Sequence, residues 1–250
     1  MKFLKGLLLF FSIVFFMLIA YSISNNFFEP KAFNFMVKNF TAVKTGSNDI
    51  VIIVIDDKSI GKYRWPWKRN LYCKVFNYLN EYAKPAVIVN DSVFATPDSE
   101  NPESDIAYFN SIKNINNLVV GFDFLPNKEE MINKNYDKKF YKKFGLNIED
   151  NRLWGRDNSY HALLPFPEPY FNSVKMAGSV KSPVCRDSFL RSIPYIVKYG
   201  DKLYPSLSLR AFSYLNGNEG YIVDDYSIHG QKSHIEIPRT SDIYGINTLL

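Results

Sequence analysis

Cysteine and histidine are scarce in this chain, with two Cys and three His in 250 residues. Cys73 and Cys185 form no CxxC pair, which excludes a zinc knuckle and a thioredoxin-type motif. His161, His229 and His234 include no i, i+4 pair with an acid between, so no metal site is expected on them. There is no P-loop, GxGxxG or GxSxG, and no Ser/His/Asp set can be assembled. No catalytic residue, metal or cofactor is therefore expected. One-sided charge is also lacking: a net +5 is mild for this length and forms no dense basic stripe, which argues against a nucleic-acid partner. What remains is a globular composition long enough for one sizeable core or two small ones.

The one long apolar run opens the chain, as MKFLKGLLLFFSIVFFMLIAYSIS. From Gly6 to Ile23 there are 18 residues without charge, near the lower limit for crossing a bilayer. Lys2 and Lys5 precede the run, so the positive-inside tendency puts the amino terminus in the cytoplasm and the rest outside. A cleaved signal peptide is the main rival, since Ala20, Ser22 and Ser24 offer small residues for cleavage. A buried core helix is the third reading, weakened by the absence of a polar face. Anchor and signal peptide alike export the chain from about Asn25. An oxidising compartment would permit a Cys73–Cys185 bond without requiring one.

Beyond a mixed stretch at 25–48, apolar runs alternate with helical patterns. Ile50–Ile55 (IVIIVI) predicts a central strand buried on both faces. Pro66 stands where a helix could begin, and Leu71, Val75, Leu79 and Tyr82 follow at helical spacing. Lys84–Asp91 predicts a second strand, Ile106, Phe109 and Ile112 mark one face of a helix, and Asn117–Leu125 predicts a third strand. The alternation argues for an α/β layer with a largely parallel sheet. Residues 127–152 are polar and lysine-rich, expected as a solvated surface helix or insertion. KMAGSV and RSIPYIVKYGDKLYPS predict strands with a turn at YGDK, Ser206–Leu215 a helix stopping at NGNEG, and the last thirty residues hairpin strands.

Asp56 and Asp57 close one predicted strand and Asp91 the next. Strand carboxyl ends of an open parallel sheet form a natural ligand crevice. The Asp-x-Asp of a haloacid-dehalogenase phosphatase is absent, because Lys58 and Ser59 stand two residues after the acids. A response-regulator receiver would need cytoplasmic phosphodonors, which the leading span denies it. Two readings of DDKSIGKYRWPWKR stay open. In one, Asp57 and Ser59 cap a turn, Pro66 sets a helix entry, Trp65 and Trp67 supply apolar area, and Arg69 reaches back to Asp56 or Asp57. In the other, these residues line a ligand crevice.

The segment NDIVIIVIDDKSI…RWPWKR resembles the opening of the CHASE family, type two, the extracellular sensory domains associated with cyclases and histidine kinases. Asp56, Asp57, Ser59, Ile60, Trp65, Pro66, Trp67 and Arg69 carry the likeness. VIVNDSVF supplies a second block through Asp91 and Phe94, and AGSVKSPVCRDSFLRSIP a third through Gly178, Asp187, Arg191 and Pro194. Ser188 and Ser192 depart from the family's usual Gly and Arg in that third block. LYPSLSLRAF and IEIPRTSDIYGINTLL resemble later blocks. The resemblance implies an extracytoplasmic sensor that normally continues into further membrane helices and a cytoplasmic cyclase, kinase or other enzyme, so the chain is expected to be a fragment.

The sequence thus predicts an α/β protein in three parts. Residues 1–24 form a cytoplasmic tip and transmembrane helix, 25–48 a stalk, and 49–250 one extracytoplasmic sensor domain. Its expected function is to couple an unknown external signal to an output outside this chain. The rivals are the amino-terminal part of a nucleotide cyclase and a cell-surface interaction module. The candidate ligand-binding residues are Asp56, Asp57, Ser59, Trp65, Trp67, Arg69 and Asp91. The expected partners are the membrane, an external signal and a second copy in a homodimer.

Overall fold

The computed structural model describes residues 2–24, 28–40, 48–125, 134–146, 160, 162–182, 190, 193–200, 202–217 and five short strands between 221 and 248. The chain divides into two compact units, Met1–Asp56 with Val184–Phe189, and Asp57–Pro183 with Leu190–Leu250.

The first unit opens with helix α1 (Lys2–Ile23), apolar on every side. Phe15, Phe16 and Leu18 are exposed, so α1 is not a buried core helix. Among the described residues no helix is long and apolar enough to cross a membrane. The side chains of residues 2–5, Leu8, Leu9 and Ile23 within α1 lie outside that description. Helix α2 (Glu29–Phe40) follows in the stretch read as a stalk. Ile50–Ile55 corrects an expectation: it forms no strand, and Val51 and Ile52 are 82% and 81% exposed. A β-branched run has the right propensity, but a strand also needs a ladder partner, and no described strand pairs with this one.

The second unit begins with α3 (Asp57–Tyr63), α4 (Arg69–Tyr78) and a π-helical turn at Leu79–Ala83. Then come β1 (Ile88–Asn90), α5 (Pro102–Lys113), β2 (Leu118–Leu125), α6 (Lys134–Phe144) and β3 (Ala162–Leu164). After a 3-10 turn at Glu168–Ser173 follow β4 (Met176–Ser179), β5 (Ile196–Tyr199), β6 (Lys202–Pro205) and α7 (Leu207–Leu215). Strand β2 is the axis of the main sheet. It runs parallel to β1, with Ile88 opposite Leu118, and parallel to β4, with Met176 opposite Val119. The α5 crossover makes the first of these pairings parallel. Strand β3 returns antiparallel, with Leu164 opposite Asp123. The sheet is therefore mixed rather than largely parallel: β2, at eight residues, outruns three-residue β1, and β3 pairs with its far end.

Two helices bury faces that the sequence spacing did not single out. On α4 the buried side chains are Arg69, Tyr72 and Phe76, while Leu71 and Val75 are only half-buried; Tyr82, in the turn beyond, is exposed. The rings of Tyr72 and Phe76 join Tyr108 of α5, and this aromatic packing sets the rotation of the helix. On α5, Phe109 and Ile112 are buried as expected, whereas Ile106 is exposed. The lysine-rich stretch holds the larger surprise. Helix α6 buries Tyr136, Phe140 and Phe144, spaced i, i+4, i+8, with Phe140 meeting Phe122 at 5.0 Å and Phe166 at 5.1 Å. Lys139 and Lys143 cover the ring of Phe171 at 4.7 and 4.6 Å. The expected solvated excursion is thus a core helix over 134–144, and 127–133 and 147–152 lie outside the described residues.

The β5–β6 hairpin turns at Gly200, whose φ is +61°. Ser206 caps α7, its hydroxyl accepting from the Leu209 N–H at 3.1 Å, and Gly217 follows the helix with φ +84°. The remaining strands, β7 (Tyr221–Val223), β8 (Ser227–Gly230) and β9 (Glu236–Pro238), form an antiparallel meander. They are followed by the paired β10 (Thr240–Ser241) and β11 (Asn247–Thr248). Cys73 is a free thiol, and Cys185 lies outside the described residues.

Candidate functional site

The carboxyl ends of the parallel strands gather charge. Asp91 directly follows β1, Asp123 lies near the end of β2, and Lys181 stands two residues past β4. The Lys181 Nζ donates to the Phe124 carbonyl at 2.8 Å and lies 3.7 Å from Asp123 Oδ1. It also sits 5.4 Å from the centre of the Tyr160 ring. Partial burial lifts the Asp91 carboxyl above the usual carboxylate range, and the negative charge of Asp123 lifts it further. Burial raises the Tyr160 phenol, with Asp123 again adding to the effect. Carboxylates at the ends of β1 and β2, with the Lys181 ammonium beside Asp123, can hold a polar or cationic ligand. Among the described residues no group of three or more His, Cys, Asp or Glu could hold a metal.

Two glycines let the chains approach this closely. A Cβ on Gly121 would lie 2.7 Å from Val180 Cγ1 and 3.1 Å from the Asn90 carbonyl oxygen. A Cβ on Gly178 would lie 2.6 Å from Leu207 Cα and 2.7 Å from the Ser206 carbonyl oxygen. Only a residue without a side chain lets β4 meet the start of α7.

The loop leaving β1 is fastened by a buried ion pair. Arg69 Nη1 donates to Asp105 Oδ1 at 2.5 Å, and Arg69 Nη2 to the Thr96 carbonyl at 2.5 Å. The other Asp105 oxygen accepts from the Asp98 N–H at 2.8 Å, and Ser104 Oγ accepts from the Asn70 N–H at 2.9 Å. Asp105 is fully buried and Arg69 is 8% exposed, so both charges have left water. The Arg69 guanidinium lies 4.7 Å from the Phe94 ring centre, and Phe94 packs edge-on against Tyr72 and Tyr108. At the start of the same loop, Asn90 donates to the Tyr108 hydroxyl at 3.1 Å and accepts from the Ser92 N–H at 3.2 Å. The loop that carries Asp91 is therefore held from both ends.

The sequence-predicted residues fall into separate places. Asp56 is exposed and belongs to the first unit. Asp57 is exposed in the first turn of α3, and Ser59 is half-buried on the same helix. Trp65 is exposed beside the cis Trp65–Pro66 bond. The Trp67 ring stands edge-on between Tyr63 and Tyr72, and its indole N–H is buried without a hydrogen-bond partner among the described residues. Arg69 does not reach back to Asp56 or Asp57 as one sequence reading expected, since its carboxylate is Asp105, thirty-six residues ahead. Phe94 of the second sequence block meets Arg69 of the first. Asp187 and Arg191 of the third lie outside the described residues. Asp105, Asp123 and Lys181 were not singled out from sequence. For Asp105 there was a usable signal, an acid in the first turn of a helix opened by Pro102.

The second unit is a mixed α/β fold with acidic and basic side chains gathered at the carboxyl ends of its parallel strands. The CHASE2 domain model matches residues 9–247, and the chain belongs to that family. CHASE2 domains are sensory domains typical of extracytoplasmic sensors in signalling receptors, and no catalytic domain is identified in the chain. No curated protein and no solved structure matches it.

Proposed function

We propose that this chain is the extracytoplasmic sensor of a membrane-anchored receptor, held by α1 and coupled to a cytoplasmic output outside the chain. The observation that carries the proposal is the family match over residues 9–247, taken with the uncharged run from Gly6 to Ile23 that precedes the α/β unit. Two lysines before that run favour a cytoplasmic amino terminus. The output is a nucleotide cyclase or a histidine kinase, as the family's associations suggest, and the receptor works as a homodimer.

The signal binds at the strand ends that carry Asp91, Asp123 and Lys181. Arg69 and Asp105 fasten the loop that carries Asp91, and Asp57, Ser59, Trp65 and Trp67 belong to the corner before α4. To act as a signal, the ligand must favour one of two conformations by differential affinity. Topology is tested with reporters fused after Leu250: a phosphatase active only outside the cytoplasm should be active, and a fluorescent protein that matures only in the cytoplasm should be dark. The opposite pair of results overturns the proposal. The crevice is tested with Asp91→Asn and Asp123→Asn in a receptor carrying this domain and its output. An unchanged signal response in both variants removes the crevice from the mechanism.

A further inference from the structure

Helix α6 carries its charge unevenly. Its one acid, Asp137, is 8% exposed and accepts from the Tyr199 hydroxyl at 3.2 Å. Lys138, Lys139, Lys142 and Lys143 are exposed, and none forms an ion pair among the described residues. The pull of a helix end on cations accounts for Lys142 and Lys143 in the last turn, but not for Lys138 and Lys139. That end is also served already, since Arg210 Nη2 donates to the Phe144 carbonyl at 2.6 Å.

Two of the four ammonium groups are held in place. Lys143 Nζ donates to the Phe171 carbonyl at 3.2 Å and lies 4.6 Å from the centre of the Phe171 ring. Lys139 Nζ lies 4.7 Å from the same centre. Phe171 itself is buried, and Tyr136 and Phe144 meet its ring edge-on at 5.7 and 5.6 Å. The two nitrogens therefore lie no farther apart than their two distances to that centre together. Burial lowers the pKa of the Lys143 ammonium, and the charge on Lys139 lowers it further. The ring attracts each cation but neutralises neither. An anion set between them would neutralise both. The Phe171 carbonyl takes one of the three Lys143 protons, which leaves two to donate.

We propose that Lys139 and Lys143 form a binding site for a doubly charged tetrahedral oxyanion, of the kind a phosphate group supplies. Its oxygens can accept from both ammonium groups at once, and its charge cancels theirs. A single carboxylate would leave one charge standing. Lys138 and Lys142 add to the local positive field. The site shares no residue with the strand-end acids, so each reading can fail without the other.

The test uses the full chain in detergent, with ionic strength held constant by chloride. Acylation by a succinimidyl ester is followed at each lysine by mass spectrometry, with exposed Lys113 of α5 as the reference. Millimolar inorganic phosphate should slow acylation of Lys139 and Lys143 several-fold and leave Lys113 unchanged. Acetate should protect much less. Lys139→Gln should abolish the protection of Lys143, and Lys113→Gln should leave it intact. A sugar phosphate monoester in place of the free ion separates two sources of the group, and both outcomes support the site. Stronger protection by the ester assigns a phosphorylated ligand, and equal protection assigns the free ion. Equal protection at all three lysines marks an adventitious ion only and overturns the inference, as does no protection at all. Carbodiimide cross-linking of Lys139 or Lys143 to a carboxylate of the chain itself, without protection by phosphate, also overturns it.

Discussion

Replacing Asp105 with Ala removes the only carboxylate within reach of Arg69 among the described contacts. The guanidinium would remain buried against Phe94 with a single carbonyl, that of Thr96, as partner. Breaking a buried pair from one side costs about 3–5 kcal/mol, far above the ~0–1 kcal/mol of an exposed pair. The Asp98 N–H also loses its acceptor, which adds to the cost rather than offsetting it. Against a total stability of about 5–15 kcal/mol, such a loss leaves the unit close to unfolding at room temperature. The double variant Arg69→Met with Asp105→Leu should recover much of it, because apolar side chains of similar size need no partner. Urea unfolding of the detergent-solubilised parent, Arg69→Met, Asp105→Leu and double variants, followed by tryptophan fluorescence near Trp67, measures all four corners of the cycle, with Asp105→Ala measured beside them. The expected result is a large single loss at Asp105 and a double variant far more stable than the sum of the single changes. An Asp105→Ala cost below about 1 kcal/mol, or strict additivity, would refute the account of this pair as the fastening of the β1 loop.

Three further outcomes are expected. Gly178→Ala should destabilise the chain by about 1–3 kcal/mol, since its Cβ meets backbone atoms of Ser206 and Leu207, and a thermal melt that does not move would refute that crowding. Phe140→Ala should cost about 3–5 kcal/mol in urea unfolding, while exposed Lys139→Ala costs much less, a contrast that a merely solvated α6 would not give. Asp91→Asn should stabilise the chain at neutral pH by about 1 kcal/mol or less, because the carboxyl remains partly wetted. Its folded pKa lies above the unfolded one, so ionised Asp91 subtracts stability at higher pH, and that penalty fades as pH falls through the folded value. The gap between parent and variant should therefore close toward acid, and a gap that widens there reverses the sign and the explanation.

Local chemistry made much of the sheet legible. Strands β1, β2 and β4 and the β5–β6 hairpin follow apolar runs bounded by turn residues, and α7 lies between Ser206 and Gly217, the residues a helix start and stop call for. Long-range packing was not legible. The buried face of α4 is chosen by Phe94 and Tyr108, which lie in later segments, so counting leucines along the helix pointed to the wrong side. Helix α6 looked solvated because lysines outnumber its three core aromatics, yet four-residue spacing buries all three together. In the site, Asp91 was visible as the residue ending a strand. The pairing of Arg69 with Asp105 was not, because tertiary structure closes that distance and sequence proximity does not.

The bare run Ile50–Ile55 bears on how this protein behaves outside its native setting. Six uncharged residues, all isoleucine or valine and without proline or glycine, are the composition of a cross-β segment. With Val51 and Ile52 open to solvent, copies crowded together at high expression can stack through this run. Asp49 on one side and Asp56 and Asp57 on the other bracket it with like charge, so stacked copies would align their acids and repel. Asp56 and Asp57, first noticed as candidate ligand groups, would then act with Asp49 as gatekeepers of solubility. Neutralising them together should turn a well-behaved preparation into one that deposits fibres.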